Sequence, residues 1–148
     1  MEEQAGLEVL SEEECARLLA TSHVGRVAVT MGALPAVVPV NYALLDGDVV
    51  FRTGKGTRLA TATTGTVVAF EVDRVDAEER SGWSVLVVGM ADQITDPDEL
   101  ESALGLGLRP WAPGDRDHFV RVAARRVSGR RLAAGGENGS LDGERRRR

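Results

Sequence analysis

Past residue 25 the hydrophobic pattern of this chain has a period of two, and it holds that period, with short interruptions, to residue 132. RVAVTM (26–31), PAVVPVNYALL (35–45), DVVFRT (48–53), VVAFEVD (67–73) and WSVLVVGMADQI (83–94) are Val-rich runs, and RDHFVRVAARRVSGRRL (116–132) reads as one long or bent strand. Branched side chains suit a pleated surface, so these six segments are strand candidates. Asp46-Gly47 between two of them is a hairpin signal. The strands follow one another through short turns, without the strand–helix alternation of a doubly wound sheet. The expected fold is mainly β: a six-stranded antiparallel barrel with two or three short helices.

The helices announce themselves by their caps. SEEECARLLATS (11–22) begins with Ser11 and has Glu14 three residues on, a capping box, with Cys15, Leu18 and Leu19 on one face. DPDELESALGLG (96–107) has Asp96 to cap it, Pro97 at the first helical position and Glu99 to complete the box. GTRLATATT (56–64) reads as a short helix or helical turn.

A chain of 148 residues with 43% hydrophobic content suits one domain with a real core. The net charge of −5 argues against a general nucleic-acid binder. One cysteine excludes an internal disulfide and any multi-cysteine metal site. The acidic start lacks the apolar core of a secretory signal, and no apolar run nears the ~20 residues of a membrane span. These features lead us to expect a soluble, cytoplasmic domain over 1–132. Residues 133–148, Gly-rich and ending in four arginines, read as a disordered tail.

In SVLVVGMADQI both strand faces are largely apolar: Ser84, Leu86, Val88 and Met90 on one, Val85, Val87, Gly89 and Ala91 on the other. An antiparallel strand with one face in the core usually turns a polar face to water. The second face needs a cover, which a helix or a second copy of the chain could supply; a homodimer is the expected arrangement.

FRTGKGTRLATAT (51–63) concentrates Arg52, Thr53, Thr57, Arg58 and the chain's one lysine, Lys55, around two glycines. It is not a phosphate-binding P-loop: no Lys-Ser/Thr pair follows the second glycine, and no long helix follows the strand. A simpler cradle fits, in which a strand delivers Arg52 and Thr53, and Thr57 and Arg58 open a short helix; Arg supplies paired donors and Thr a hydroxyl for one phosphate. On local chemistry alone, a solvated polar loop fits equally well.

The order GRVAV (25–29), PAVVPVNYALLDGDVVFRTGKGTRL (35–59), VAFEVD (68–73) and GWSVLVVGMA (82–91) resembles the pyridoxamine 5′-phosphate oxidase-like, FMN-binding split-barrel family, above all its nitroimidazole-reductase-like branch. The resemblance implies a homodimer with FMN at the subunit interface. It places the FMN phosphate at Arg52, Thr53, Thr57 and Arg58, with Lys55 in reach. Pro39, Val40, Asn41 and Tyr42 would run along the flavin ring, Ser84 would touch it, and Trp83 would stack on it or close the groove. The basic residue that true pyridoxamine phosphate oxidases carry where Tyr42 stands is missing, and so is their C-terminal substrate segment. The expected activity is therefore hydride or electron transfer between the flavin and another small organic molecule, with a nicotinamide as reductant. Alternatives on the same barrel are a non-catalytic flavin- or haem-binding redox sensor and a deazaflavin-dependent reductase. No nucleophile–base pair or metal constellation is visible, and flavin chemistry needs none. His23 and His118 read as structural or exposed, Tyr42 as an outward strand residue, and Glu71 and Asp73 as solvated strand-end acids.

Overall fold

A computed structural model describes residues 2–4, 7–108 and 118–132, with side chains from residue 7 onward. The proposed tail at 133–148 lies outside the described residues. Nine strands and three helices follow in the order β1 (Glu2–Gln4), β2 (Leu7–Val9), α1 (Glu12–Leu19), β3 (Val24–Met31), β4 (Leu34–Leu45), β5 (Asp48–Thr53), α2 (Arg58–Ala62), β6 (Thr66–Asp76), β7 (Ser81–Gln93), α3 (Pro97–Leu104), β8 (His118–Val122) and β9 (Arg126–Leu132).

Six strands close a ring. β7 pairs with β6, β6 with β3, β3 with β4, β4 with β5, β5 with β8, and β8 returns to β7, every pairing antiparallel. Closure removes the open edges that would otherwise invite foreign strands. Inward residues repeat at every second position: Val27 and Val29, Val40 and Tyr42, Val49 and Phe51, Val68, Phe70 and Val72, Val85 and Val87, Val120 and Val122 form one buried core. The Asp46–Gly47 turn has φ of 50° and 86°, the left-handed pair that a two-residue hairpin requires.

Within the segment read as one long or bent strand, residues 118–132 form two strands. β7 is 13 residues long and serves both: Gly82 to Val88 pair with β9, and Ala91 to Gln93 pair with β8. The chain steps from one partner register to the other over Ala123–Arg125. At that step the Ala123 carbonyl oxygen sits 1.6 Å from where a Cβ on Gly89 would be, so no side chain fits there. The Ala123 N–H donates to the Met90 carbonyl at 3.0 Å and keeps the crossing hydrogen-bonded. Beyond the ring, β9 carries β2, and β2 carries β1.

The helices use the caps read from sequence. Ser11 Oγ accepts from Glu14 N–H at 3.1 Å, and Cys15, Leu18 and Leu19 are buried. Asp96 caps α3 by accepting from Glu99 N–H at 3.0 Å. α3 belongs to a second cluster, where Val50, Ile94, Ala103 and Phe119 pack with Leu45, Leu100, Leu106 and Leu108. α3 thus covers the outside of β5 and β8. Among the described residues the outside of β3, β4, β6 and β7 has no such cover: Val24, Val37, Val67, Leu86 and Met90 are all exposed there, Val37 and Val67 by about two thirds (64% and 65%).

Gly89→Ala puts a methyl into the Ala123 carbonyl. We expect a loss of at least ~3 kcal/mol, read from urea denaturation; an unchanged midpoint would contradict the crossing.

Candidate functional site

Strand alternation sorts the sequence-predicted site residues onto two faces. The register runs Pro39–Arg26–Glu71–Leu86–Ser128 across five strands, and Asp73–Ser84–Arg130 with Asn41–Val24 in the row beside it. Pro39, Asn41 and Ser84 therefore share the outer face, and Arg52 on β5 points outward too. Val40, Tyr42, Thr53 and Trp83 point the other way.

Tyr42 is a correction to the outward reading. Its ring is buried, edge-on to Phe70 with centroids 4.8 Å apart, and its hydroxyl donates to the Leu19 carbonyl at 2.5 Å. Burial pushes the phenol up to about 12, so it stays protonated as a donor tying α1 to the barrel. A ligand lying on the outer face meets only the backbone of Val40 and Tyr42. Trp83 is half-buried against the core and lines a cavity of about 420 Å³ with Arg74, Ser81 and Arg131.

The basic turn is built as follows. β5 ends at Thr53, Gly54 is buried, and Gly56 takes a φ of 75°. Thr57 caps α2: its hydroxyl donates to the Gly54 carbonyl at 2.8 Å and accepts from Ala60 N–H at 3.1 Å. Its one proton is thereby committed, so its role in the turn is to fix the loop. Arg52 lies with its guanidinium 5.0 Å from the centroid of the Phe119 ring, a cation–π contact beside the α3 cluster. Lys55 and Arg58 are exposed, and neither makes an ion pair among the described residues. Other arginines do pair: Arg17 and Arg131 with Glu14, Arg26 with Glu71 and Asp73, Arg121 with Asp48 and Glu99. In an acidic chain, two adjacent cations without a carboxylate form a donor set suited to an external anion.

His118, read from sequence as structural or exposed, is buried. It pairs in register with Thr53 and shares the inward face of Phe51 and Val120. It is 7% exposed, and its Nε2 has no hydrogen-bond partner among the described residues. Burial, and then the charge of Lys55, hold its imidazole below the ordinary value.

Glu71 and Asp73 are a second correction. They are half-buried on the outer face, both on Arg26, whose Nη2 lies 2.6 Å from Asp73 and 3.1 Å from Glu71. Burial first, then the neighbouring Asp73, push Glu71 up to about 7. The Glu71 carboxyl then donates to Asp73, which is held low by that bond. No group of His, Cys, Asp and Glu among the described residues is placed to hold a metal, and no described helix is long and apolar enough to cross a membrane.

Comparison with known proteins agrees with this architecture. The pyridoxamine 5′-phosphate oxidase family model matches residues 11–131. The uncharacterised protein Rv0080 of Mycobacterium tuberculosis is 38% identical over 130 residues, 84% of this chain and 85% of that one. Among solved structures, the FAD binding protein of Mycobacterium smegmatis superposes with a TM-score of 0.73 at 35% identity, covering 84% of this chain and 98% of that one. A FAD-binding protein of Mesorhizobium loti gives 0.68 at 26% identity, over 84% and 96%. The chain belongs to the pyridoxamine 5′-phosphate oxidase family of split barrels.

Glu71 has a raised folded value, so its contribution to stability is complete below about pH 4.5 and is lost as pH rises through about 7. Glu71→Gln is therefore expected to flatten the fall in melting temperature between pH 5 and 7. A variant whose slope matches the parent's would contradict the shared proton.

Proposed function

We propose that this protein is a homodimeric flavoprotein that carries out hydride or electron transfer on a small organic molecule. The observation that carries the reading is the pair of cations, Lys55 and Arg58, that make no ion pair among the described residues, on a turn fixed by Thr57 where β5 leaves the barrel. The exposed apolar outer face of β3, β4, β6 and β7 presents Pro39, Asn41 and Ser84 and gives a planar ring a surface to lie on.

The residues fit such a cofactor chemically. Lys55 and Arg58 would hold its phosphate. Asn41 offers an amide donor and acceptor to the polar edge of the ring, and Pro39, having no N–H, removes one donor from the strand ladder. The second copy of the chain would cover the open face, bury its valines and exclude water from the ring. When bound, the flavin supplies the hydride and electron chemistry; the protein supplies binding, orientation and polarity. That division explains why the described residues need no acid–base dyad.

FMN is the smallest cofactor the turn requires. A second reading, FAD, is favoured by the 35% identical FAD binding protein of M. smegmatis, since a diphosphate offers the turn the same charge. Chromatography of the released cofactor distinguishes them.

Substituting Ala at Arg58 and at Lys55 is expected to weaken FMN about tenfold or more for each lost charged contact and to leave riboflavin unchanged. Equal losses for both ligands would overturn the phosphate assignment. Light scattering of the flavin-loaded protein is expected to give a two-chain mass; a one-chain mass at full occupancy would contradict the covered face.

A further inference from the structure

The imidazole of His118 is buried beside the basic turn, yet no group among the described residues satisfies its Nε2. Buried polar atoms are rarely left so, because an unmet group carries its full desolvation cost. The position is specific. His118 opens β8 directly across from Thr53, the last residue of β5 before Gly54-Lys55-Gly56. Both side chains face the barrel interior, under the turn. Lys55 is the one charged group among the described residues whose field lowers the ring's basicity. Of the other cations in this stretch of chain, Arg58 stands at the start of α2, and Arg52, the neighbour of Thr53, turns to the opposite face against Phe119. No described carboxylate acts on the ring.

Burial first, and then the positive charge of Lys55, therefore favour the neutral His118 ring. An anion against Lys55 reverses the sign of that field. We propose that His118 is the buried third cation of the phosphate site: it takes up one proton from solvent as the phosphate group settles against Lys55 and Arg58, so that cofactor capture and proton uptake are one event. This rests on the flavin reading above and adds to it a pH dependence located in one named residue.

The test uses the full chain and three probes: FMN, riboflavin and inorganic phosphate. Histidine ring resonances report protonation directly, and His23→Gln assigns the remaining signal to His118. FMN at saturation is expected to raise the His118 titration midpoint by at least about one unit, and riboflavin to leave it unmoved. Linkage then requires FMN to bind about tenfold more tightly below this range than above it. Calorimetry in buffers of different ionisation enthalpy counts the protons. The parent should take up more protons per FMN near pH 7 than His118→Gln does, the cofactor's own phosphate ionisation being common to both. A shift with inorganic phosphate alone would locate the effect in the anion.

Tight FMN binding with an unmoved His118 resonance and equal proton counts would overturn the proposal and leave the flavin reading standing. A parent protein that takes up neither FMN nor FAD would overturn both. The resonance arm needs no change at His118, so a poorly folded His118→Gln does not decide the matter.

Discussion

Everything in this barrel depends on β7 having one partner on one edge and two on the other. β6 pairs with it from Ser81 to Ala91, while β9 and β8 divide the second edge between them. The β8 pairing closes the six-stranded ring; the β9 pairing leads the chain out to β2 and to α1. The change of partner is possible only because Gly89 leaves room for the Ala123 carbonyl. A side chain there would force a choice between a closed barrel and a docked α1. The same dependence reaches α1 from the other side, where Cys15 packs against Gly129 and Arg131 binds Glu14. The Glu14 carboxylate, held down to about 2 by its hydrogen bonds with Arg17 and Arg131, keeps that link charged through the whole physiological range.

Closure also decides where function can sit. A filled six-stranded barrel has no room for a cofactor inside, so a ligand must lie on an outer surface or at an end. α3 already occupies the outside of β5 and β8 with Ile94, Ala103 and Leu100. What is left is the apolar face of β3, β4, β6 and β7, bordered by the basic turn. A charged cluster interrupts that face, Arg26–Glu71–Asp73, and there the two acids share a proton instead of both standing charged. A surface that keeps its acids half neutral is easier to cover with a second copy of itself than one carrying two free carboxylates.

Much of this was legible in the sequence. Period-two runs of valine and the Asp-Gly turn gave the strands, and Ser11 and Asp96 gave the helix starts, because those signals are local. The break between β8 and β9 was not legible, since AAR at 123–125 contains neither Gly nor Pro; the split edge of β7 imposes it. The two-face division of Pro39 to Tyr42 was available from alternation, but which face is the core depended on Tyr42 reaching Leu19. The site was legible as a list of charges and not as a geometry. Lys55 and Arg58 stood out by composition, whereas His118 is 65 residues from Thr53 in sequence and joins it only through the β5–β8 register. Thr57 was readable as a hydroxyl in the turn; that it also caps α2 is seen only in the structure.

The most direct test of the central claim is the visible absorption spectrum of the purified chain, before and after incubation with excess FMN or FAD followed by desalting. The account predicts a flavin spectrum that survives desalting, with the bands displaced from those of free flavin. A protein that stays colourless after both incubations would contradict it.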